Sequence, residues 1–284
     1  MKPAPFSYAR PDSIESAIKL LAEHEGAKIL AGGQSLMPMM NFRVARPELI
    51  VDINRIAGLV YIEERGGLLS IGALARHVDV KNSEIAARMC PAIRMAYEHV
   101  AHETVRNRGT LVGNLAHADP ASELPALMLV VDAEIVARSV RGSRCIAAED
   151  FFVTALTSDL EPDEMLVEVR IPGQTADRKF AVEEFALRKG DLALSGVVVA
   201  LDQEEQQCSR ARLALFGVSD RPIRSLEAEQ ALVGTSCSPA IIAAAAELAV
   251  ASIEFEGGPG ITAEYRAFLT RGLICRALAK AWSS

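Results

Sequence analysis

Two short stretches of this chain set glycines beside hydroxyl-bearing residues, a combination that suits anion binding by backbone amides. The first, Ala31-Gly32-Gly33-Gln34-Ser35-Leu36, follows the apolar run Lys28-Ile29-Leu30. The second is Gly109-Thr110-Leu111-Val112-Gly113-Asn114. Glycine leaves amides uncovered and lets a ligand approach the main chain, while Ser35 and Thr110 add hydroxyl donors. Two such loops from different parts of a fold can clamp a pyrophosphate between them. Neither has the spacing of the common nucleotide motifs: there is no Gly-x-x-x-x-Gly-Lys-Ser/Thr, and no Gly-x-Gly-x-x-Gly opens a helix. Alone, a Gly-Gly-x-Ser is more often a plain turn.

Other chemistry-bearing residues read more simply. Cys90, Cys145, Cys208, Cys237 and Cys275 include no Cys-x-x-Cys pair, so the chain shows no local iron–sulfur or zinc motif. They read as small buried residues, and any redox chemistry must use an organic cofactor or metals held elsewhere. His99 and His102 share a helical face but lack a third ligand nearby, which favours a structural or solvent-facing pair. Met37, Met39 and Met40 suit core filling under the first loop better than a partner contact. Arg43, Arg46, Arg106 and Arg108 flank the two glycine loops and suit phosphate, a partner surface or solvent equally. Asp52 and Asn54 are expected to make turn hydrogen bonds.

These residues need elements to position them. Asp12 to Glu15 resembles a capping box, and Ile14, Ala17, Ile18 and Leu21 then recur at helical spacing up to Gly26. Lys28 to Ala31 and Leu49 to Ile53 read as the strands of a small β-α-β unit. Tyr61 to Gly72 reads as strand, turn, strand. Helices are expected over His77 to Met89 and Pro91 to His102. The polar stretch from Glu103 to Glu123 reads as a long functional loop. Glu134 to Arg138 and Glu164 to Ile171 read as strands, the second stopped by Pro172, and Gly173 to Asp177 as a linker. Beyond it, Val182 to Leu187, Ser195 to Leu201 and Arg212 to Gly217 read as one sheet. Two or three helices follow, one opening Ser238-Pro239 and the last running from Ala263 to about Ala281.

At 284 residues, half of them apolar and 24% charged, the chain can bury a substantial core in two or three domains. The net charge of −7 argues against a nucleic-acid partner. No apolar stretch is long enough to span a membrane. The N-terminus lacks a secretory core, so a cytoplasmic location is expected.

Ala31 to Asn54, followed by Val105 to Ala126, resembles the FAD-binding medium subunit of molybdenum hydroxylases. The carbon monoxide dehydrogenase type is the nearer likeness, and the flavin domain of xanthine dehydrogenase a more distant one. The resemblance continues through Ile71 to Leu74, Leu166 to Pro172, Arg188 to Ala193 and the helix from Ala263, so it covers nearly the whole chain. It implies an α+β fold: a two-subdomain FAD-binding module of the vanillyl-alcohol oxidase type (1–56 and 57–175), then a C-terminal α+β domain (176–284). Ala31, Gly32, Gly33, Gln34 and Ser35 would form the first phosphate loop, and Thr110 to Asn114, with Val112 and Gly113, the second. His117, Asp119 and Glu123 would lie beside the ribityl chain and flavin ring. Leu30, Leu36, Gly109, Leu166 and Asp191 would complete the site.

The resemblance assigns no catalytic or metal-binding residue to this chain. It implies a flavoprotein subunit of a heteromeric oxidoreductase, with a large molybdopterin subunit and a small subunit carrying two [2Fe–2S] clusters as partners. Electrons from the clusters would leave the FAD for a quinone, cytochrome, oxygen or NAD. Two positions depart from the family. Val112 stands where relatives commonly have glycine, so it is expected to resist positive φ and shift binding onto the amides of Gly113 and Asn114. Leu192 stands where carbon monoxide dehydrogenase-like chains have an aromatic residue beside the flavin. The alternative in a different class is an FAD-free assembly or scaffold module on the same fold, which Val112 would favour. A stand-alone FAD oxidase lacks recognisable substrate-pocket acids and bases.

Overall fold

The computed structural model describes residues 1–175, 177–258 and 260–284, so Ala176 of the expected linker lies outside the described residues. The chain begins with a three-stranded parallel sheet of β1 (Ser7–Ala9), β2 (Lys28–Leu30) and β3 (Leu49–Asp52), in the order β1-β3-β2. Helix α1 (Ile14–Glu23) buries Ala17, Ile18 and Leu21, the positions its helical spacing selects. Its N-cap is Ser13, which accepts from the Ser16 amide, rather than Asp12. α2 (Leu36–Asn41) follows the first glycine loop, with Met40 buried beneath it. β1 has too few residues to show a period and is not read from the sequence.

The second sheet is five-stranded and antiparallel, in the order β4-β5-β10-β6-β7. Its hairpin β4 (Ile62–Arg65) and β5 (Leu68–Gly72) matches the strand–turn–strand reading. The expected helix from His77 to Met89 is two helices, α3 (His77–Asn82) and α4 (Glu84–Met89). Ser83 ends the first and caps the second by accepting from the Ala86 amide. The next expected helix shrinks to α5 (Ala92–Ala96). The polar stretch read as a loop is largely helical: α6 (Glu103–Arg106), α7 (Leu111–His117) and then α8 (Glu123–Val130). Every residue of α8 is buried, so it is apolar all round save for Glu123 at its start. The sheet is completed by β6 (Glu134–Ser139), β7 (Gly142–Ala147) and β10 (Met165–Pro172). Between them lie α9 (Ala148–Phe151) and the hairpin β8 (Phe152–Thr154) and β9 (Thr157–Ser158).

The C-terminal sheet is β11 (Lys179–Phe185), β12 (Ser195–Glu204), β13 (Gln207–Phe216) and the short β14 (Ile223–Arg224), in that order and antiparallel. α10 (Leu226–Leu232), α11 (Pro239–Ala251) and α12 (Ala263–Trp282) follow. Pro239 occupies the first turn of α11 after Ser238, and Thr262 caps α12 by accepting from the Tyr265 amide. The sheet is buried on both faces. Val198, Ala200, Phe180 and Val182 join the core around α8, whereas Val197, Val199 and Leu201 join the core under α11 and α12. Each fully buried residue of this kind contributes about 1.5–3 kcal/mol, so the alternation fastens the C-terminal sheet to the first part of the chain. It also aims Glu184 toward α8 and its neighbour Glu183 toward Arg276 and Lys280 of α12.

The Phe216 ring lies over Gly196, its partner across β12 and β13, where a Cβ would strike it. Gly196→Val therefore costs about 1–3 kcal/mol, or more if the ring cannot move. A urea midpoint lowered at unchanged slope is the expected outcome, and an unchanged midpoint contradicts the packing.

Candidate cofactor site

The two glycine loops meet at a cavity of about 660 Å³. Gly32 makes the meeting possible. A Cβ there would strike the Arg108 carbonyl and come within 2.6 Å of the Gly109 Cα, so the loops touch backbone to backbone. Gly33 serves differently, turning the chain at φ 73°. The contact is lashed by side chains. Asn54 Nδ2 donates to the Ala31 carbonyl at 2.9 Å, and its Oδ1 accepts from Arg76 Nη2 at 2.6 Å. Arg76 Nη1 donates to the Arg108 carbonyl at 2.5 Å. Asp52 steadies Asn54 by accepting from its amide at 2.9 Å. Burial opposes the Asp52 charge, but hydrogen bonds from Tyr8 and Asn54 outweigh it and hold the carboxyl below its ordinary range. The turn bonds expected of Asp52 and Asn54 are present, and they extend to the second loop.

That second loop is the start of α7. Thr110 is its N-cap, with Oγ1 accepting from the Gly113 amide at 3.0 Å. Val112 is helical and needs no positive φ, which corrects the expectation that it strains the loop. Gly113 is required for another reason: a Cβ would sit 2.7 Å from Thr110 Oγ1. Its amide is taken up by the cap, and the Asn114 amide donates to the Thr110 carbonyl at 3.0 Å. These two amides are therefore committed within the helix, contrary to the sequence expectation. The Asn114 side chain remains. Its Nδ2 donates to Ser122 at 3.1 Å, while its Oδ1 is buried without a partner on the cavity wall.

The other expected residues fall around the same space, with one exception. Ala31, Gln34, Ser35 and Leu36 line it from the first loop. Gly109, His117 and Asp119 line it from the second side, where Asp119 also accepts from the Ala121 amide at 2.9 Å. Leu166 closes it from β10, at a bulge in the pairing with β6. Asp191 and the 63% exposed Leu192 stand at its C-terminal rim. Leu30 lies instead on a smaller neighbouring cavity of about 370 Å³, shared with Asp52, Asn54 and Arg108.

Three groups escaped the sequence reading. His77 lines the cavity and abuts Gly109, with its Nδ1 3.0 Å from the buried Tyr97 hydroxyl. Burial, with Arg106 nearby, brings its pKa down to about 4, so the ring is neutral and shares a hydrogen bond with the Tyr97 hydroxyl. Burial likewise keeps Tyr97 protonated. Glu184 meets Glu123, and burial raises both carboxyls. Arg76 makes the lash.

His99 faces Glu184, His102 packs by Gly190, and among the described residues no three metal-binding side chains cluster. Arg106 donates to the Val100 and Ala101 carbonyls, Arg43 and Arg46 are exposed, and Arg108 reaches the smaller cavity. All five cysteines are free thiols, with Cys90, Cys208 and Cys237 buried but Cys145 exposed. Among the described residues no helix is long and apolar enough to cross a membrane.

A cavity gripped by two glycine loops, one following a strand and one opening a helix, with an orphaned amide oxygen on its wall, defines a protein that binds a dinucleotide-sized cofactor. Residues 4–174 match the FAD-binding domain in molybdopterin dehydrogenase, and residues 180–281 the carbon monoxide dehydrogenase flavoprotein C-terminal domain. The chain belongs to the FAD-binding medium subunits of the molybdenum hydroxylases, and is thus a flavoprotein component of an oxidoreductase. It is 42% identical to the 6-hydroxypseudooxynicotine dehydrogenase complex subunit alpha of Paenarthrobacter nicotinovorans, covering 99% of this chain and 96% of that one. It is 40% identical to the caffeine dehydrogenase subunit beta of Pseudomonas sp. (strain CBB1), with the same coverage. In structure it matches a chain of the carbon monoxide dehydrogenase of Hydrogenophaga pseudoflava, with a TM-score of 0.97, 36% identity, and coverage of 100% and 99%. The residues present fit FAD: Gly32 leaves the close backbone cradle, and Asn114 Oδ1 awaits a donor.

Gly32→Ala forces the loops apart and should weaken FAD binding about tenfold or more, equivalent to at least 1.4 kcal/mol. Titration of the cofactor-free chain with FAD measures this, and an unchanged dissociation constant contradicts the cradle. His77 carries a pH signature. Its depressed pKa means that the unfolded chain binds more protons between about 6.5 and 4, so its contribution is present above that window and lost as pH falls through it. His77→Gln, whose amide can still hydrogen-bond the Tyr97 hydroxyl, should flatten the acid limb of the stability–pH curve followed by circular dichroism.

Proposed function

We propose that this chain is the flavin-carrying electron-transfer subunit of a three-component molybdenum hydroxylase. A small partner with [2Fe–2S] clusters delivers electrons, a large molybdopterin partner oxidises the substrate, and a quinone, cytochrome, oxygen or NAD removes the electrons. The observation that supports this best is the pair of glycine loops held in backbone contact at one cavity, in a chain matching such subunits over its whole length.

FAD supplies chemistry the protein's side chains lack, since it exchanges electrons singly with iron–sulfur carriers and singly or in pairs with acceptors. The residues bind and orient it. In this reading Gly32, Gly33 and Ser35 accommodate the pyrophosphate, where the Ser35 hydroxyl makes no cap hydrogen bond and is free to donate. Thr110 keeps its hydroxyl hydrogen available while its oxygen caps α7. Asn114, His117, Asp119 and Glu123 face the ribityl chain and ring, while Leu36, Val112, Leu166 and Asp191 shape the ends. The proposed domains are a first FAD-binding subdomain at 1–56, a second at 57–175 and a C-terminal α+β domain at 176–284. The FAD-free scaffold reading loses its one support, because Val112 sits in a regular helix turn.

The visible spectrum of the purified chain, with chromatography of whatever heat releases, tests the reading. Flavin absorbance with stoichiometric FAD is the expected outcome. A colourless chain that added FAD cannot reconstitute would overturn it.

A further inference from the structure

Glu123 brings a carboxyl to the cavity wall, although only 7% of the residue is exposed. Across from it stands Glu184 of β11, whose side chain is 4% exposed and lies within hydrogen-bond reach of Glu123. The period of two along β11 explains the aim: Phe180 and Val182 share that face with Glu184, whereas Glu183 turns to Lys280. Among the described residues no arginine or lysine pairs with either carboxyl. The other groups facing Glu123 are Asp119 and Tyr97, which are acidic or neutral at ordinary pH. Two carboxylates this close in a dry place cannot both hold a charge cheaply, so they keep one proton between them. Glu184 Oε2 is buried with no hydrogen-bond partner, and His99 Nδ1 lies 3.8 Å from it on a ring that is 31% exposed. Around His99 stand Glu98, Glu183, Lys189 and Lys280, a balanced set open to water.

We propose that Glu123 and Glu184 are a proton-sharing pair that exchanges one proton with the group bound in the cavity as that group gains or loses an electron, with His99 as the contact to solvent. The proposal rests on the FAD reading of the cavity. In the reducing direction the shared carboxyl O–H bond breaks. Its proton moves to the bound group alongside an electron from the reductant, an iron–sulfur carrier in the proposed assembly. Both carboxylates are then charged until water returns a proton by way of His99. In the oxidising direction the electron leaves to the acceptor, the bound group's proton passes to the pair, and the pair releases one proton to water by way of His99. Glu123 touches the cavity, whereas Glu184 acts through Glu123 and is a positioning residue.

The test uses the FAD-loaded chain and Glu184→Gln, which preserves side-chain size and leaves the cavity lining untouched. Midpoint potentials are measured by dithionite titration from about pH 6 to about pH 9, a range that brackets raised carboxyls of this kind. The wild-type plot should bend as the pair loses its proton. In Glu184→Gln the amide donates to Glu123 and keeps it charged, so the bend should be lost while FAD content stays the same. Matching bends in both would overturn the proposal. The cofactor-free chain gives a second readout, the infrared carboxylic-acid stretch. It should be present in the wild type at the acid end and lost in Glu184→Gln, and its absence from the wild type would also overturn the pair. A chain that shows the stretch but binds no FAD would contradict the FAD reading, and with it the exchange, separately from the pair itself. His99→Gln should keep the bend but slow re-protonation after a pH jump, and an unchanged rate would remove His99 from the path.

Discussion

The contact of Gly32 with the Arg108–Gly109 backbone is the constraint on which the site depends. It brings the turn after a parallel strand against the turn that opens helix α7, at a separation no side chain permits. Such closeness exposes main chain to a ligand on one side and must be held on the other. Asn54 and Arg76 do the holding, each satisfying a carbonyl that the contact would otherwise leave bare. The β1-β3-β2 order matters here because it places Asp52 and Asn54 at the same sheet end as Ala31.

Behind the loops lie proton-bearing groups whose charge burial opposes. His77 is held uncharged against Tyr97, and Glu123 shares its surroundings with Glu184. The C-terminal sheet contributes by being buried on both faces. Its outer side is covered by α11 and α12, and its inner side presents Glu184 to the cavity wall.

Much of this was legible in the sequence. Strands with a clear period of two or a continuous apolar run, such as β12, were read directly, as was α11 with proline in its first turn. The loops themselves stood out because glycine beside Ser35 and Thr110 has few other uses. The stretch from Glu103 to Glu123 was misread because Asn107, Gly109, Asn114 and Asp119 mask helices of only a turn or two, whose stability comes from packing. The strain expected of Val112 came from the glycine that relatives commonly have there, and its helical position does not impose it. Glu184 and His77 carried no local signal, since what distinguishes them is the neighbour each meets across the fold.

The most direct measurement is a crystal structure of the chain with FAD bound. The account predicts the pyrophosphate between Gly32–Ser35 and Thr110, a donor placed against Asn114 Oδ1, and the ring end toward Glu123. A pyrophosphate seated instead in the smaller cavity beside Leu30 and Arg108, or loops separated at Gly32, would contradict it.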